Sequence, residues 1–529
     1  MTPLTKRWFE DKLLWGILIL AAIILLPVLI EPLGFDDAIP QLAALDFIRL
    51  GRIPYIGFFD QNFPGFFYLH IIEVLLLGPS DIGVRIFDII IQLFFVAFLY
   101  RFASRWTNRS TAALTAILYI LYYVSAGSEV YGQRDVYIAM LLFIGSSFLI
   151  PSDRPLDWKS IIASGFVLGM TILIRPTSLL FTSLIALFLL LDESFRMVRR
   201  RFTAAVVFFL CSLVPISAVI AYYAQISGGL GAFYLATIRF NLDTYTKLPT
   251  NHSFWWEMAR MSFLIIFAIV GALAKNKKLV SRNLTPRERA LYLSFIISAL
   301  FIVLLQAKYF RYHFAPFFML ILPLAAIGIE DALSRIRGLR KVPRFYLMAV
   351  FCFLCTFIRF KPVSSLAFGL GFLEHKDPFE TTYRIDHSDS LYGAIPEQRL
   401  LRYMRLASNS KGVIEICSLD PVLRLHLRRT CASRYPTLQH LAMTASAKFE
   451  RGSNYTNYQL RWQRDYIDTL QVVRPRFIIV ARKMKFWAVD DFNAFLNSLP
   501  GFDSLLDNEY REDTIFGGYE IYRLNSTRG

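Results

Sequence analysis

The sequence predicts a polytopic α-helical membrane protein of about eleven spans, with a cytoplasmic N-terminus and a C-terminal extracytoplasmic α/β domain. Three observations predict it. The 529 residues are 55% hydrophobic and 16% aromatic, with a mean hydropathy of +0.45, more apolar surface than a soluble globule could cover with polar groups. The apolar residues fall into runs long enough to cross a bilayer, and past residue 362 the composition turns polar and charged. The net charge of +17 does not point to nucleic acid: Lys and Arg cluster between the apolar runs, no groove-reading motif is present, and the charge reads as topology.

The runs lie near 12–30, 83–100, 111–126, 136–150, 160–174, 177–191, 203–224, 257–274, 290–305, 312–329 and 345–360. With the N-terminus inside, the inner segments hold Lys6, Arg7, Lys12, Arg101, Arg105, Arg109, Arg154, Lys159, Arg196, the Arg199–Arg201 run and the Lys275–Arg289 and Arg335–Arg344 clusters. The outer loops before the last run hold only Arg49, Arg52, Arg134, Arg175, Arg239, Lys247, Lys308 and Arg311. The ratio is roughly 23 to 8, which favours this orientation. The first run ends in Pro-Val-Leu-Ile-Glu-Pro without a small-residue cleavage site, as in a retained signal anchor. Residues 1–362 then form the transmembrane domain and 363–529 the soluble one, and no retention signal for the endoplasmic reticulum diverts the chain from a plasma (inner) membrane.

The first outer loop, 31–82, is long, aromatic and punctuated by Pro and Gly, with Asp46, Asp60, Gln61 and Asn62 among Phe and Tyr. Such a loop is too apolar for disorder and too long for a connector. It splits into an amphipathic helix near 39–50 lying along the interface, a turn at 51–54 and a second helix near 66–77. Arg134 and Asp135 open the fourth span. Pro176 breaks the run that contains Arg175, and Gly228, Gly229 and Gly231 make 225–256 a candidate mobile lid. In the C-terminal part, strands are expected near 412–417, 476–481 and 519–524, and helices near 459–472 and 489–499. It contains no nucleotide loop, no G-x-S-x-G and no zinc spacing. Cys352 and Cys355 read as apolar residues of the last span, and Cys417 and Cys431 are spaced so that pairing is open in an oxidising compartment.

The chemistry-bearing residues collect at the outer ends of the spans. Asp36 and Asp37 follow the first span by about one helical turn, and two adjacent carboxylates at a membrane–water boundary suit a general base for a hydroxyl proton. Asp135 adds a third. Arg134, Arg175, Lys308 and Arg311 lie near starts of inward-running helices, whose dipoles reinforce their charge, a combination that attracts an anion such as phosphate. Asn62, Tyr131, Tyr309 and His313, polar or aromatic groups of the same outer segments, are candidate substrate contacts. A lone cation at a span end usually snorkels to headgroups, so it is the concentration beside carboxylates that carries the phosphate reading. A divalent ion between Asp36 and Asp135 is left open.

These residues carry a resemblance. The acidic pair after the first span, G-R-I-P-Y from Gly51, D-Q-N-F-P-G-F-F-Y from Asp60, Arg134-Asp135, G-x-x-x-G-M-x-x-L-I-R-P-T around Arg175 and K-Y-F-R-Y-H-x-x-P from Lys308 resemble the GT-C superfamily of integral-membrane glycosyltransferases. The similarity is greatest to the protein O-mannosyltransferase and lipid A aminoarabinose transferase branches, and the layout of a spanning bundle followed by an extracytoplasmic domain is also the family's. The resemblance implies a polyprenyl-phosphate-sugar donor. It makes Asp36 the catalytic acidic residue of the first outer loop, with Asp37 where the family often has Glu, makes Asp135 the second acidic position, and makes Arg175 and Lys308 candidates for the donor phosphate. One departure is Asn62-Phe63-Pro64, where aminoarabinose-type relatives place Lys before the Pro, which leaves Arg134 or Lys308 to take over that contact.

The expected activity is therefore transfer of a sugar, with inversion, from a polyprenyl-phosphate-linked donor to a hydroxyl of a glycolipid, polysaccharide or protein at the extracytoplasmic face. The alternative is a transporter or a flippase for lipid-linked sugars. Transporters tend to show repeated halves and ionisable residues within spans, whereas no internal repeat is evident here and only Asp88 and Gln92 lie mid-span.

Overall fold

The computed structural model describes residues 10–30, 33–149, 157–191, 197–248, 252–274, 285–335, 398–407, 412–444, 455–482, 489, 491–516 and 518–525. The expected span at 345–360, with Cys352 and Cys355, and the domain boundary at 362 lie outside the described residues. The chain divides into two compact units. One comprises Met1–Glu31, Ser80–Val219 and His252–Thr381; the other comprises Pro32–Pro79, Ile220–Asn251 and Thr382–Gly529. The first outer loop thus groups with the C-terminal residues.

The first unit is helical. Its helices start where the sequence supplies caps for the orphan N–H groups of a first turn. Ser80 Oγ accepts from the Gly83 N–H at 3.0 Å, Asn108 Oδ1 from Thr111 at 2.8 Å and Asp157 Oδ1 from Ser160 at 2.8 Å. Thr285 and Glu288 close a capping box before Pro286–Gln306. Among the described residues five helices are long and apolar enough to span: Lys12–Leu29, Asp81–Ala103, Val198–Ala224, Glu288–Gln306 and Arg311–Arg335. Phe254–Arg260 with Ser262–Leu273, bent by 68°, makes a sixth if the pair is one span. The other expected runs before 345 are also helices: Arg109–Ala126, Arg134–Ser147, Trp158–Ile174 and Pro176–Leu191. Arg109–Ala126 reads as less apolar because its buried faces carry Thr111, Thr115, Tyr119 and Tyr123, which bond within the protein and do not face lipid.

Successive helices run in opposite directions, because their polar ends meet in two separate groups. At one end Asp11 takes the Tyr100 hydroxyl at 3.2 Å and Arg101 at 3.5 Å, Glu330 takes the Thr111 hydroxyl, and Arg335 pairs with Asp331 at 2.7 Å. At the other, Arg175 reaches Asp135 and Gln306, and Arg311 reaches Glu257. Arg311–Arg335 is the inner helix of the unit, with 94% of its apolar window buried. Small residues permit that burial. A Cβ on Gly328 would lie 1.9 Å from the Phe267 carbonyl oxygen, and one on Gly271 1.9 Å from that of Leu324. Gly165 and Gly169 likewise meet the Phe208 and Ser212 carbonyls, a small-xxx-small crossing of the kind that brings membrane helices into backbone contact.

The second unit joins helices from the outer loops to a four-stranded sheet. Strands β1 (Ile414–Cys417), β2 (Phe477–Val480), β3 (Tyr510–Phe516) and β4 (Tyr519–Leu524) are ordered β1-β2-β4-β3. β1 and β2 are parallel, and the β2–β4 and β4–β3 pairs are antiparallel. β1 and β2 are buried on both faces, and Ile414, Ile416, Phe477, Ile479 and Ile521 pack with Leu400, Met404 and Leu423. The expected strands at 412–417, 476–481 and 519–524 are present. β3, whose sequence YREDTIF alternates too weakly to be read as a strand, forms the edge.

Helix Phe35–Leu50 differs from the expected amphipathic interfacial helix at 39–50. It starts four residues earlier, and Phe35 and residues 37–46 are buried on every side, leaving only 47–50 exposed. Asp46 explains part of this, because its carboxylate holds the fully buried Arg424 at 2.7 Å and Arg52 at 3.1 Å. The 225–248 segment is helical, as Gly229–Tyr234, a π-turn at Leu235–Arg239 and Phe240–Asp243, and is not a glycine loop. Gly228 (φ +70°) supplies its cap, and Gly229 lies where a Cβ would meet the Tyr223 carbonyl at 2.5 Å.

Gly328→Ala is expected to lower stability in detergent by about 1–3 kcal/mol, since the added methyl has to displace backbone. Gly16→Ala, with nothing within 4 Å of its new Cβ, should change it by less than about 0.5 kcal/mol. Thermal unfolding of the two variants checks this.

Candidate functional site

In the helical unit the site is built at the end where Arg134–Ser147 begins. Gln133 caps this helix in an extended conformation, placing Arg134 and Asp135 in its first turn. Arg175 arrives from the turn after Trp158–Ile174. Pro176 excludes the helical region for the residue before it, and Arg175 is accordingly extended, at φ −152° and ψ 122°. Its guanidinium contacts the Asp135 carboxylate and donates to Gln306 Oε1 at 3.2 Å. Arg134 Nε lies 4.0 Å from the same carboxylate, with its guanidinium over the Tyr312 ring at 5.8 Å.

The third contribution is the segment after Pro286–Gln306. Ala307 and Tyr309 both have positive φ, +50° and +53°, a conformation costing L-residues roughly 1–2 kcal/mol each. Between them sits Lys308, 3% exposed, whose burial pushes its ammonium pKa down. The following turn, Arg311–Phe314, carries His313 against Phe310 and Tyr312, with ring centroids 5.4 and 4.6 Å away. His313 is buried, its Nδ1 makes no hydrogen bond among the described residues, and Arg175, Arg134, His252 and Lys308 all lie within its electrostatic reach. Arg134, Arg175 and Lys308 thus gather around His313, a concentration of cationic donors of the kind that hydrogen-bonds an anion.

Arg311 is placed otherwise. Its guanidinium pairs with Glu257 at 3.3 Å and Glu129 at 3.8 Å and donates to the Ala126 carbonyl at 3.4 Å, while Arg260 takes the other Glu257 oxygen at 2.9 Å. Two cations meet two carboxylates, and the group braces helix ends. Tyr131 is likewise committed: it is buried, and its hydroxyl donates to the Val124 carbonyl at 2.7 Å. Tyr309 is half-buried against Phe254. Sequence reasoning missed Gln306, whose Nε2 is buried without a partner among the described residues. Only its distance from Arg175 makes it visible, and no spacing in the sequence encodes that.

The second unit holds the acidic pair and separates the roles of its members. Asp37 is 1% exposed and its Oδ2 accepts from the Gly34 N–H at 3.4 Å, a helix-capping contact. Asp36, one position earlier in the first turn, is half-buried. Asn62 is folded into its own loop, donating to Asp60 Oδ2 at 2.8 Å while its carbonyl accepts from the Tyr55 hydroxyl at 2.6 Å. Cys417 and Cys431 are buried free thiols, with Cys417 Sγ 3.1 Å from the Tyr466 hydroxyl. Among the described residues no group of three or more His, Cys, Asp or Glu could hold a metal ion.

Comparison with known proteins identifies the fold. The chain has the GT-C fold of membrane glycosyltransferases. Residues 61–222 match the family model described as dolichyl-phosphate-mannose-protein mannosyltransferase. The structure is similar to that of ArnT from Cupriavidus metallidurans bound to undecaprenyl phosphate, with a TM-score of 0.57, 10% identity and coverage of 97% of this chain and 98% of that one. The apo form of the same protein gives 0.57 and 12%, covering 96% of each chain. No curated protein sequence matches.

Removing Arg175 tests whether its pair with Asp135 organises this end. Arg175→Met should cost about 3–5 kcal/mol by removing the direct contact of a buried carboxylate, and Arg175→Met/Asp135→Leu should recover part of that loss. Thermal unfolding of the single and double variants measures the coupling.

Proposed function

We propose that the protein is a glycosyltransferase that moves a sugar, with inversion, from a polyprenyl-phosphate-linked donor to an acceptor hydroxyl at the extracytoplasmic face of the plasma membrane. The observation that carries the reading is that Arg134, Arg175 and Lys308 all lie within the electrostatic reach of the buried His313, with Arg175 also joined to Asp135 and Gln306. Support also comes from the fold, shared with a protein solved with undecaprenyl phosphate bound, and from the match of 61–222 to a mannosyltransferase family that uses a lipid-phosphate sugar. The orientation rests on the charge bias of the inner segments.

In this reading the cations hold the donor phosphate and stabilise the charge it gains as the glycosidic C–O bond breaks. Arg175, oriented by Asp135, and Lys308, fixed between two strained residues, are pre-positioned for that role. Asp36 takes the proton of the acceptor hydroxyl, whose oxygen attacks the anomeric carbon from the opposite face. Asp37, engaged in its cap, orients the turn that carries Asp36. Arg311 serves the frame.

One observation gives the flippase reading some ground. Asp88 lies in the middle of the spanning helix Asp81–Ala103 with Arg85 and Gln92 on the same face, all fully buried. However, Asp88 accepts from the Tyr123 hydroxyl at 2.5 Å, the Gln92 amide at 2.8 Å and the Tyr137 hydroxyl at 3.3 Å. Such a saturated network suits a fixed strut better than a transport path.

Purified protein in liposomes, offered a panel of polyprenyl-phosphate sugars, should release polyprenyl phosphate, and Asp36→Asn should lower the rate by at least about a hundredfold while remaining folded. Transbilayer movement of the lipid without cleavage would replace this reading with the flippase. Release is expected to persist in EDTA; loss restored by Mg²⁺ would assign a divalent ion to the acidic residues.

A further inference from the structure

The second unit contains a cleft that the donor chemistry does not use. Its volume is about 620 Å³, within the range of roughly 300–1,000 Å³ typical of small-ligand sites. One wall is the outer face of helix Asn457–Val473, where Asp465, Asp468 and Val472 follow one another at helical spacing. The opposite face of that helix, Tyr458, Trp462, Tyr466 and Leu470, is buried, so the polar face is not needed for folding. The other wall is Arg52, Arg434 and Tyr435, with Gly57 between them. A Cβ on Gly57 would come within 3.1 Å of the Arg52 Cβ, so a larger residue there would crowd the cleft.

The electrostatics of the walls select the occupant. Arg52 is satisfied by Asp46 at 3.1 Å and by the Cys431 and Ser433 carbonyls at 2.8 and 3.4 Å. Arg434 donates to the Tyr435 hydroxyl at 3.1 Å and lies 3.9 Å from Asp465. Asp468 is exposed and makes no hydrogen bond or ion pair among the described residues. The lining thus carries two guanidinium groups and two carboxylates, with no net charge to favour a phosphate or carboxylate ligand. Carboxylates accepting from hydroxyls, guanidinium edges donating to them and an apolar Val472, 82% exposed, for the C–H faces of a ring together match a neutral polyol.

We propose that this cleft binds the acceptor, and that the acceptor is a neutral, polyhydroxylated oligosaccharide chain. The inference rests on the transferase reading for the word acceptor but not for the binding. Saturation-transfer NMR on the full-length protein in detergent, with neutral trimers of mannose, glucose and N-acetylglucosamine and with trigalacturonate as the anionic counterpart, tests it. Wild type should give signals from at least one neutral trimer and none from trigalacturonate. Asp465→Ala/Asp468→Ala, on an exposed helix face, should keep the unfolding temperature and weaken binding by about tenfold or more. No neutral trimer bound, binding unchanged in the double variant, or preference for trigalacturonate would each overturn the proposal. Because this readout needs no donor, a protein that binds neutral trimers but cleaves no polyprenyl-phosphate sugar would sink the transferase reading while leaving the cleft a glycan site.

Discussion

A guanidinium and a carboxylate, Arg175 and Asp135, meet where the turns of the helical unit converge, and the polar architecture of that end depends on them. In a low-dielectric interior neither charge is tolerable alone, so their contact fixes the first turn of Arg134–Ser147 against the end of Trp158–Ile174. Gln306 extends the same contact to the end of a third helix. Pro176, by denying Arg175 a helical conformation, is what lets one side chain serve all three. Against that fixed frame Arg134 and Lys308 lie with Arg175 within the electrostatic reach of His313. The neighbouring Arg311 group, balanced by Glu129 and Glu257, shows what the same residue types look like when they only hold helices together.

The separation of structural from chemical polar groups recurs in the second unit. Asp37 bonds its own helix terminus while Asp36 stays half-buried. Asp46 is consumed by Arg424 and Arg52, and Glu415, buried in β1 with its pKa raised by desolvation, takes the backbone N–H and hydroxyl of Ser433 at 2.9 and 2.7 Å. His440, wedged between Phe59 and Phe240, is held neutral by burial, its pKa pushed down to about 3. Asp37, Asp46 and Glu415 are thus engaged within the local fold. Asp36, half-buried in the first turn of its helix, and the exposed Asp465 and Asp468 of the cleft are among the carboxylates of this unit open to solvent.

Much of this was legible in the sequence, for identifiable reasons. Apolar runs gave every described helix of the spanning type, because hydropathy and backbone satisfaction in lipid are the same constraint. β1, β2 and β4 were visible as short runs rich in Ile, Val, Phe and Tyr. β3 was hidden by its edge position, where Arg511, Glu512 and Asp513 dilute the pattern. The glycines of 225–231 suggested mobility, yet one of them serves a cap and another a close backbone approach. The span-end cations were found by topology, but topology could not separate Arg311 from Arg175. That distinction lies in partners more than a hundred residues away in one case, Gln306, and on several different helices in the other.

The claim that Arg134, Arg175 and Lys308 form the donor-phosphate site is tested most directly by titrating undecaprenyl phosphate into purified protein and following binding by native mass spectrometry. Lys308→Met should weaken binding by about tenfold or more, and Arg311→Gln by no more than about threefold, because Lys308 lies with Arg134 and Arg175 around His313 whereas Arg311 is held by Glu257 and Glu129. Equal losses in the two variants, or undiminished binding by Lys308→Met, would contradict the account.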